Sequence, residues 1–309
     1  MGTGRGIVLV EHDEGRLTDL GLVALTESPS FLIAQDEIVY VVNEAEQGRV
    51  TSFRWADREL HHVAVQNTGG SHPCHLAIDP SGTVLAAANY TTGDVSLHRI
   101  DSAGGIAPFA VLLSHSGSGP DSNRQDGPHA HQVVFANDLM FAVDLGSDRV
   151  WRYRLDAAAL TVEALPPLEL PAGFGPRQLV VDGERAYVLG ELSNQLAIVV
   201  GTEVSALVPA YGTDLAERNL AATLLQPVPG RLIVSHRGAD RICVFTADGD
   251  SVVLIEEFSS EGAWPRHLAL VEDRLVLADQ LSDSVVVRSP DGSTAAVSIP
   301  NPTCILPMS

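Results

Sequence analysis

Four side chains that lie far apart in the chain, His129, Arg177, Glu191 and Arg237, are of types that together can bind an anion and move a proton. A guanidinium group captures a carboxylate or phosphate through two parallel hydrogen bonds. Bonding turn carbonyls is its alternative, purely structural, use. A carboxylate beside an imidazole can orient water or support proton transfer. Glu191 has two roles open to it, because flanking arginines lower a carboxylate's pKa and weaken it as a base. Ionised, it would orient a water or polarise His129, and the residues leave open which of the two takes the proton. His129 and His131 form an HxH pair, which a strand would turn to one face and offer to a metal. No carboxylate is fixed beside them in sequence, and no metal is expected. His72, His75, Arg266 and Gln280 are further candidate contacts to a bound ligand. Other chemistries are excluded outright. All 19 basic residues are arginine, which removes Schiff-base lysines, lysine bases and the P-loop lysine. No GxSxG elbow is present. Cys74, Cys243 and Cys304 stand singly, so no disulfide framework is expected and a reducing cytoplasm suits the chain.

The elements that must position these residues are short. Runs rich in Val, Leu, Ile, Ala and Tyr, at 37–42, 84–89, 139–144, 185–189, 231–235 and 274–278, are bounded by Gly, Asp, Asn, Ser and Pro. Each predicts a buried strand between turns. Stacked, VYVVNEAEQGRVTSF, LAAANYTTGDVSLHR, MFAVDLGSDRVWRYR, AYVLGELSNQLAIVV, LIVSHRGADRICVF and LVLADQLSDSVVV share one pattern: strand, polar elbow, turn, strand. The elbows Glu44, Tyr90, Leu145, Glu191, Arg237 and Gln280 stand 46, 55, 46, 46 and 43 residues apart. An inserted stretch at 114–127 accounts for the long interval. A marker precedes each elbow: Ser28-Pro29, His72-Pro73, Gly127-Pro128-His129, Gly175-Pro176-Arg177 and Trp264-Pro265-Arg266. The fifth unit has Arg218-Asn219-Leu220-Ala221 instead.

A period in the mid-forties with four strands per unit predicts an all-β fold, a β-propeller, as one domain over residues 1–309. Six units are explicit. Residues 6–11, 20–25 and 303–308 predict a seventh blade closed by pairing the N- and C-terminal segments, which would leave no open sheet edge. Only residues 1–5 precede its third strand, which predicts a shortened start. In a blade, the start of the innermost strand and the end of the second lie at one face, beside the central channel. Markers and elbows therefore predict that His72, His75, His129, Arg177, Glu191, Arg237 and Arg266 converge on one mouth.

The strings HPCHLAIDPSG, NYTTGDVSLHRI, GPHAHQV, GPRQLVV, GELSNQLAIV, SHRGADRICVF, WPRHLAL and ADQLSDSVVV resemble the seven-bladed propeller lactonases, over about residues 28–308. That family includes propeller-type 6-phosphogluconolactonases and relatives of the muconate cycloisomerases. The resemblance implies a metal-independent, cofactor-free site of one histidine, two arginines and one glutamate, carried here onto His129, Arg177, Arg237 and Glu191. It implies hydrolysis of a sugar-acid lactone, with an anionic lactone or sugar acid as the small-molecule partner. Cycloisomerisation by the same groups, or a non-catalytic propeller scaffold, are the alternatives. Two departures stand out: the eroded fifth marker and a first marker without His or Arg.

Charge and hydropathy set the outer limits. With 39 acidic residues the formal net charge is −20, which argues against a nucleic-acid or anionic-membrane surface. No apolar run is long enough to span a bilayer, and Glu11, Asp13 and Glu14 stand where a signal peptide needs its apolar stretch.

Overall fold

The computed structural model describes residues 4–13, 16–136, 138–212 and 219–308. Six antiparallel sheets of four sequential strands each follow one another along the chain, and a two-stranded hairpin, Gly6–Asp13 with Arg16–Leu25, precedes them. The innermost strands are Pro29–Gln35, Pro73–Ile78, Ala130–Ala136, Pro176–Asp182, Leu220–Val228 and Pro265–Val271. Each of the first five is packed against the innermost strand of the next sheet. The hairpin's second strand lies between the outermost strands of the sixth and first sheets, Thr294–Ser298 and Glu59–Asn67, and so fills the remaining sector of the ring. The chain is a β-propeller, with six complete blades in sequence.

Burial explains the strand sequences. The second strands Ile38–Asn43 and Val84–Asn89 are buried at every residue, because neighbouring blades cover both faces, and they read as continuous apolar runs. The outermost strand Glu59–Asn67 has solvent beyond it and alternates exposed with partly buried residues. The cores lie between blades: one cluster joins Phe141, Val143 and Val150 of the third blade to Leu179 and Val188 of the fourth, and another joins Leu189 and Ile198 of the fourth to Leu224 and Val234 of the fifth.

Two backbone features recur. The first residue of an innermost strand pairs with the last of the second, as Pro73 with Asn89, Ala130 with Asp144, Pro176 with Gly190 and Pro265 with Asp279. The ladder then slips, and the next residue (Cys74, His131, Arg177 or Arg266) is skipped as a bulge. In addition, the elbow N–H bonds back to the marker carbonyl: Glu44 to Ser28 at 2.9 Å, Tyr90 to His72 at 3.1 Å, Leu145 to His129 at 2.9 Å, Glu191 to Gly175 at 2.7 Å and Gln280 to Trp264 at 3.1 Å.

The paired closure expected of the termini is not what forms. Among the described residues, 303–308 carry no strand ladder. The segment still occupies the sector of a seventh innermost strand. Thr303 Oγ1 donates to Pro29 O at 3.3 Å, and Ile305 N donates to His267 Nδ1 at 3.2 Å. Ile305 packs in a cluster with Val8, Val10 and Leu17 of the hairpin. Burial of apolar side chains, rather than a shared hydrogen-bond ladder, joins the two ends. Arg218 of the fifth marker and residues 1–3 lie outside the described residues.

Candidate active site

The bulge after the first residue of the innermost strand, present in the second, third, fourth and sixth blades, is what builds the site. A skipped residue leaves the ladder and its side chain is re-aimed. In the third and fourth blades the skipped residues are His131 and Arg177, and Arg177 Nη1 lies 2.6 Å from His131 Nε2. Arginine can only donate, so Nε2 accepts and the neutral imidazole carries its proton on Nδ1. That Nδ1 is buried and has no partner among the described residues.

Glu191, the elbow of the fourth blade, is the centre of the cluster, with a side chain only 1% exposed. Its Oε2 accepts from Arg177 Nη1 and, at 2.8 Å, from Arg237 Nη2. Its Oε1 accepts from Arg124 Nη2 at 2.5 Å. Arg177 Nε is also bonded to Ala222 O at 2.8 Å and Arg237 Nη2 to Ala221 O at 3.2 Å, so each guanidinium combines a structural bond with its place in the cluster. Arg237 Cζ sits 5.5 Å over the Trp264 ring. Alongside, Arg266 donates to Glu44 at 3.1 Å and approaches Gln280 Oε1 at 3.5 Å. Four arginines thus face two glutamates in a chain whose net charge is −20.

The electrostatics follow from this crowding. Burial alone would raise the Glu191 carboxyl, but Arg237, Arg177 and Arg124 outweigh it and hold it well below the carboxylate range. Burial and the Arg177 charge hold His131 well below its ordinary value. Burial brings Arg237 down to about 9 despite Glu191. Cys74, at the bulge of the second blade, is pushed up to about 12, first by burial and then by Glu44. The cluster is therefore an ionised carboxylate, a neutral imidazole and a surplus of positive charge.

His129 does not belong to it. Its Nδ1 is 2.9 Å from Tyr90 O, its Nε2 is 3.1 Å from Asp126 Oδ1, and its ring stacks on Tyr90 at 4.7 Å. The register gives the reason: His129 holds the marker position of His72 and Gly175, and His131 holds the bulge position of Arg177. The pair does not share one strand face, since the strand begins at Ala130 and bulges at His131. Aligning AHQ with PRQ, instead of GPH with GPR, is the sequence signal that selects His131. His72 is likewise outside, its Nδ1 3.0 Å from Thr91 Oγ1. His75 stacks on Phe31 at 4.1 Å, and burial followed by His267 brings it down to about 3. Its position is the one that joins blades: Gln132 Oε1 accepts from Leu179 N and Gln178 Oε1 from Leu224 N, both at 2.6 Å, as His267 does from Ile305. Arg124 and Tyr90, whose hydroxyl lies 3.2 Å from Arg124 Nη2, were not among the sequence candidates. Arg124 belongs to no repeat, so no stacking of units could reveal it.

Among the described residues no group of three or more His, Cys, Asp and Glu is arranged to hold a metal ion, all three cysteines are free, and no helix is long and apolar enough to cross a membrane.

An anion-attracting cluster at the centre of a β-propeller defines a class of small-molecule enzymes and binders, and comparison with known proteins narrows it. Residues 1–306 match the family described as lactonase, 7-bladed β-propeller. The chain is 27% identical to 6-phosphogluconolactonase of Bacillus subtilis, over 98% of this chain and 95% of that one. A crystal structure of a Lactobacillus plantarum protein superposes with a TM-score of 0.89 at 28% identity, covering 98% and 95% of the two chains. The periplasmic gluconolactonase of Pseudomonas aeruginosa superposes at 0.83 with 28% identity, covering 98% and 94%. The chain belongs to the seven-bladed β-propeller lactonase family.

Proposed function

We propose that the protein hydrolyses the lactone of a sugar acid, with 6-phosphogluconolactone as the substrate. The observation that carries this reading is the ring of three guanidinium groups around the buried Glu191 carboxylate, with His131 against Arg177. In the reaction, water attacks the ring carbonyl, negative charge develops on its oxygen, and the ring C–O bond breaks. One proton of the water passes to the departing ring oxygen to give the hydroxyl, and the other is released to solvent as the new carboxyl group ionises. Among the described residues, Arg177 Nη2 and Arg237 Nη1 carry no hydrogen bond, so both can donate to the developing oxyanion. Such donors, fixed in a site shielded from water, supply much of an acyl-transfer barrier reduction. Glu191 stays ionised and is a weak base; its role is to hold the arginines and orient the attacking water. His131 is neutral, accepts from Arg177 through Nε2 and so fixes that guanidinium, and presents no proton acceptor to the substrate. Electrostatic stabilisation, more than base strength, suits an inherently reactive cyclic ester. The groups present need no metal for this chemistry.

The test is a panel of sugar-acid lactones followed by base consumption at constant pH, beside a spectrophotometric muconate assay and with a chelator in parallel. Opening of the sugar lactone that survives the chelator is the expected outcome. Muconate conversion alone would make the protein a cycloisomerase, and loss of activity on chelation would require a metal.

A further inference from the structure

The three arginines on Glu191 differ in origin and exposure. Arg177 and Arg237 come from the blade repeat, and their side chains are 8% and 9% exposed. Arg124 comes from the insertion at 114–127 and is 31% exposed, so an entering ligand meets it first. The insertion's backbone is pinned at both ends. His115 N bonds to Gly93 O at 3.2 Å and its Nδ1 lies 3.1 Å from Asp144 Oδ2, deep under the surface. At the far end Gln125, fully buried, donates to Leu145 O at 2.9 Å and to Asp148 Oδ1 at 2.7 Å. Arg124 is thus a long side chain on a fixed base, reaching over the Tyr90 hydroxyl to the next blade but one.

Its partner does not need it for neutrality. Glu191 Oε2 already has Arg177 and Arg237, and three positive charges against one negative leave two unmatched. A phosphate monoester carries nearly that charge at neutral pH, and a guanidinium matches its oxygens geometrically. Arg124 is also the one partner of Glu191 Oε1 among the described residues. Drawing Arg124 onto a ligand would leave that oxygen free to accept from water.

We propose that Arg124 is the specificity-determining residue of the site: it binds a phosphate monoester on the substrate, remote from the lactone carbonyl, and in doing so releases Glu191 Oε1. This rests on the lactonase reading for its catalytic consequence, but the binding itself is separately testable. Calorimetric titration of the wild type, Arg124→Gln and Arg124→Lys with 6-phosphogluconate and with gluconate is the experiment, with thermal melts as the folding control. Loss of a charge-assisted contact predicts about 10- to 100-fold weaker 6-phosphogluconate binding in Arg124→Gln. Arg124→Lys should fall between, and gluconate binding should change less than about twofold. Kinetics of Arg124→Gln should show KM raised about 10- to 100-fold on the phosphorylated lactone and by a distinctly smaller factor on glucono-lactone, with kcat on glucono-lactone shifted because Glu191 Oε1 has lost its partner. Equal loss for both acids, unchanged 6-phosphogluconate affinity in Arg124→Gln, or no phosphate-dependent binding by the wild type would overturn the assignment. Arg124-dependent binding in a protein that opens no lactone would support it while removing the hydrolase reading.

Discussion

His131 and His129 are two residues apart and chemically identical, yet one touches Arg177 and the other bonds to Tyr90 and Asp126. Replacing His131 with Phe removes a buried N–H and the acceptor of Arg177, and kcat/KM should fall about a hundredfold, the size of effect seen when one preorganised donor is lost. His129→Phe keeps an aromatic ring against Tyr90 and should change kcat/KM less than about threefold. Steady-state kinetics on the lactone that the panel identifies decides between them; equal losses would return His129 to the site. A second residue-scale prediction concerns Asp279, whose carboxylate is fully buried with neither oxygen hydrogen-bonded among the described residues. Burial raises it and the Asp240 charge adds to the rise, taking it to about 7. Its folded pKa lies above the unfolded one, so its stabilising contribution is full at low pH and is lost as pH climbs toward 7 and beyond. Asp279→Asn should therefore raise the melting temperature by a few degrees at pH 8 and by much less at pH 5. Melts at the two pH values that show no such difference would mean that the carboxylate is solvated.

At the scale of elements, the innermost strands do two jobs with consecutive residues. The bulged residue turns to the channel, and the next one reaches to the neighbouring blade. Gln132 makes the second job measurable: its Oε1 accepts from the buried Leu179 N–H. Gln132→Ala leaves that donor unpaired and should cost about 1–3 kcal/mol in chemical denaturation. The second strands were legible as unbroken apolar runs, and the elbows as polar residues at regular spacing. The bulge was not legible. It adds no residue that a pattern of apolar and polar letters would register, but it shifts which histidine of an HxH reaches the cluster. The insertion at 114–127 was visible as a lengthened interval, but its Arg124 was not, because its partners Tyr90 and Glu191 lie one blade away on either side of the third.

For the whole molecule, net charge and buried histidines set the response to solution conditions. A formal charge of −20 repels itself across the surface, so raising salt from about 10 to 150 mM should increase the melting temperature as the repulsion is screened. His75 and His267 are brought down to about 3 and 4, in each case first by burial, and His131 also lies well below its ordinary value. In the unfolded chain all three take up protons near pH 6.5. Below that value the unfolded state binds more protons, so stability should fall as pH drops from about 6.5 toward 4. In Asp279→Asn, where the opposing carboxylate titration is removed, a melting temperature flat over that window would show that the three imidazoles are not buried neutral. What the sequence by itself determined is the repeat and its consequences. Strand order, six full blades and the gathering of Arg177, Glu191 and Arg237 follow from local apolar runs and turn residues recurring at a fixed period, and periodicity alone brings equivalent positions to one axis. Tertiary structure decided what depends on contacts between units: His131 over His129, the third arginine on Glu191, and a closure that joins the ends by packing and not by a ladder. These turn on a one-residue slip in pairing, marked in the chain only by the match of AHQ to PRQ, on a loop whose length is visible but whose crossing to other blades is not, and on burial between distant segments.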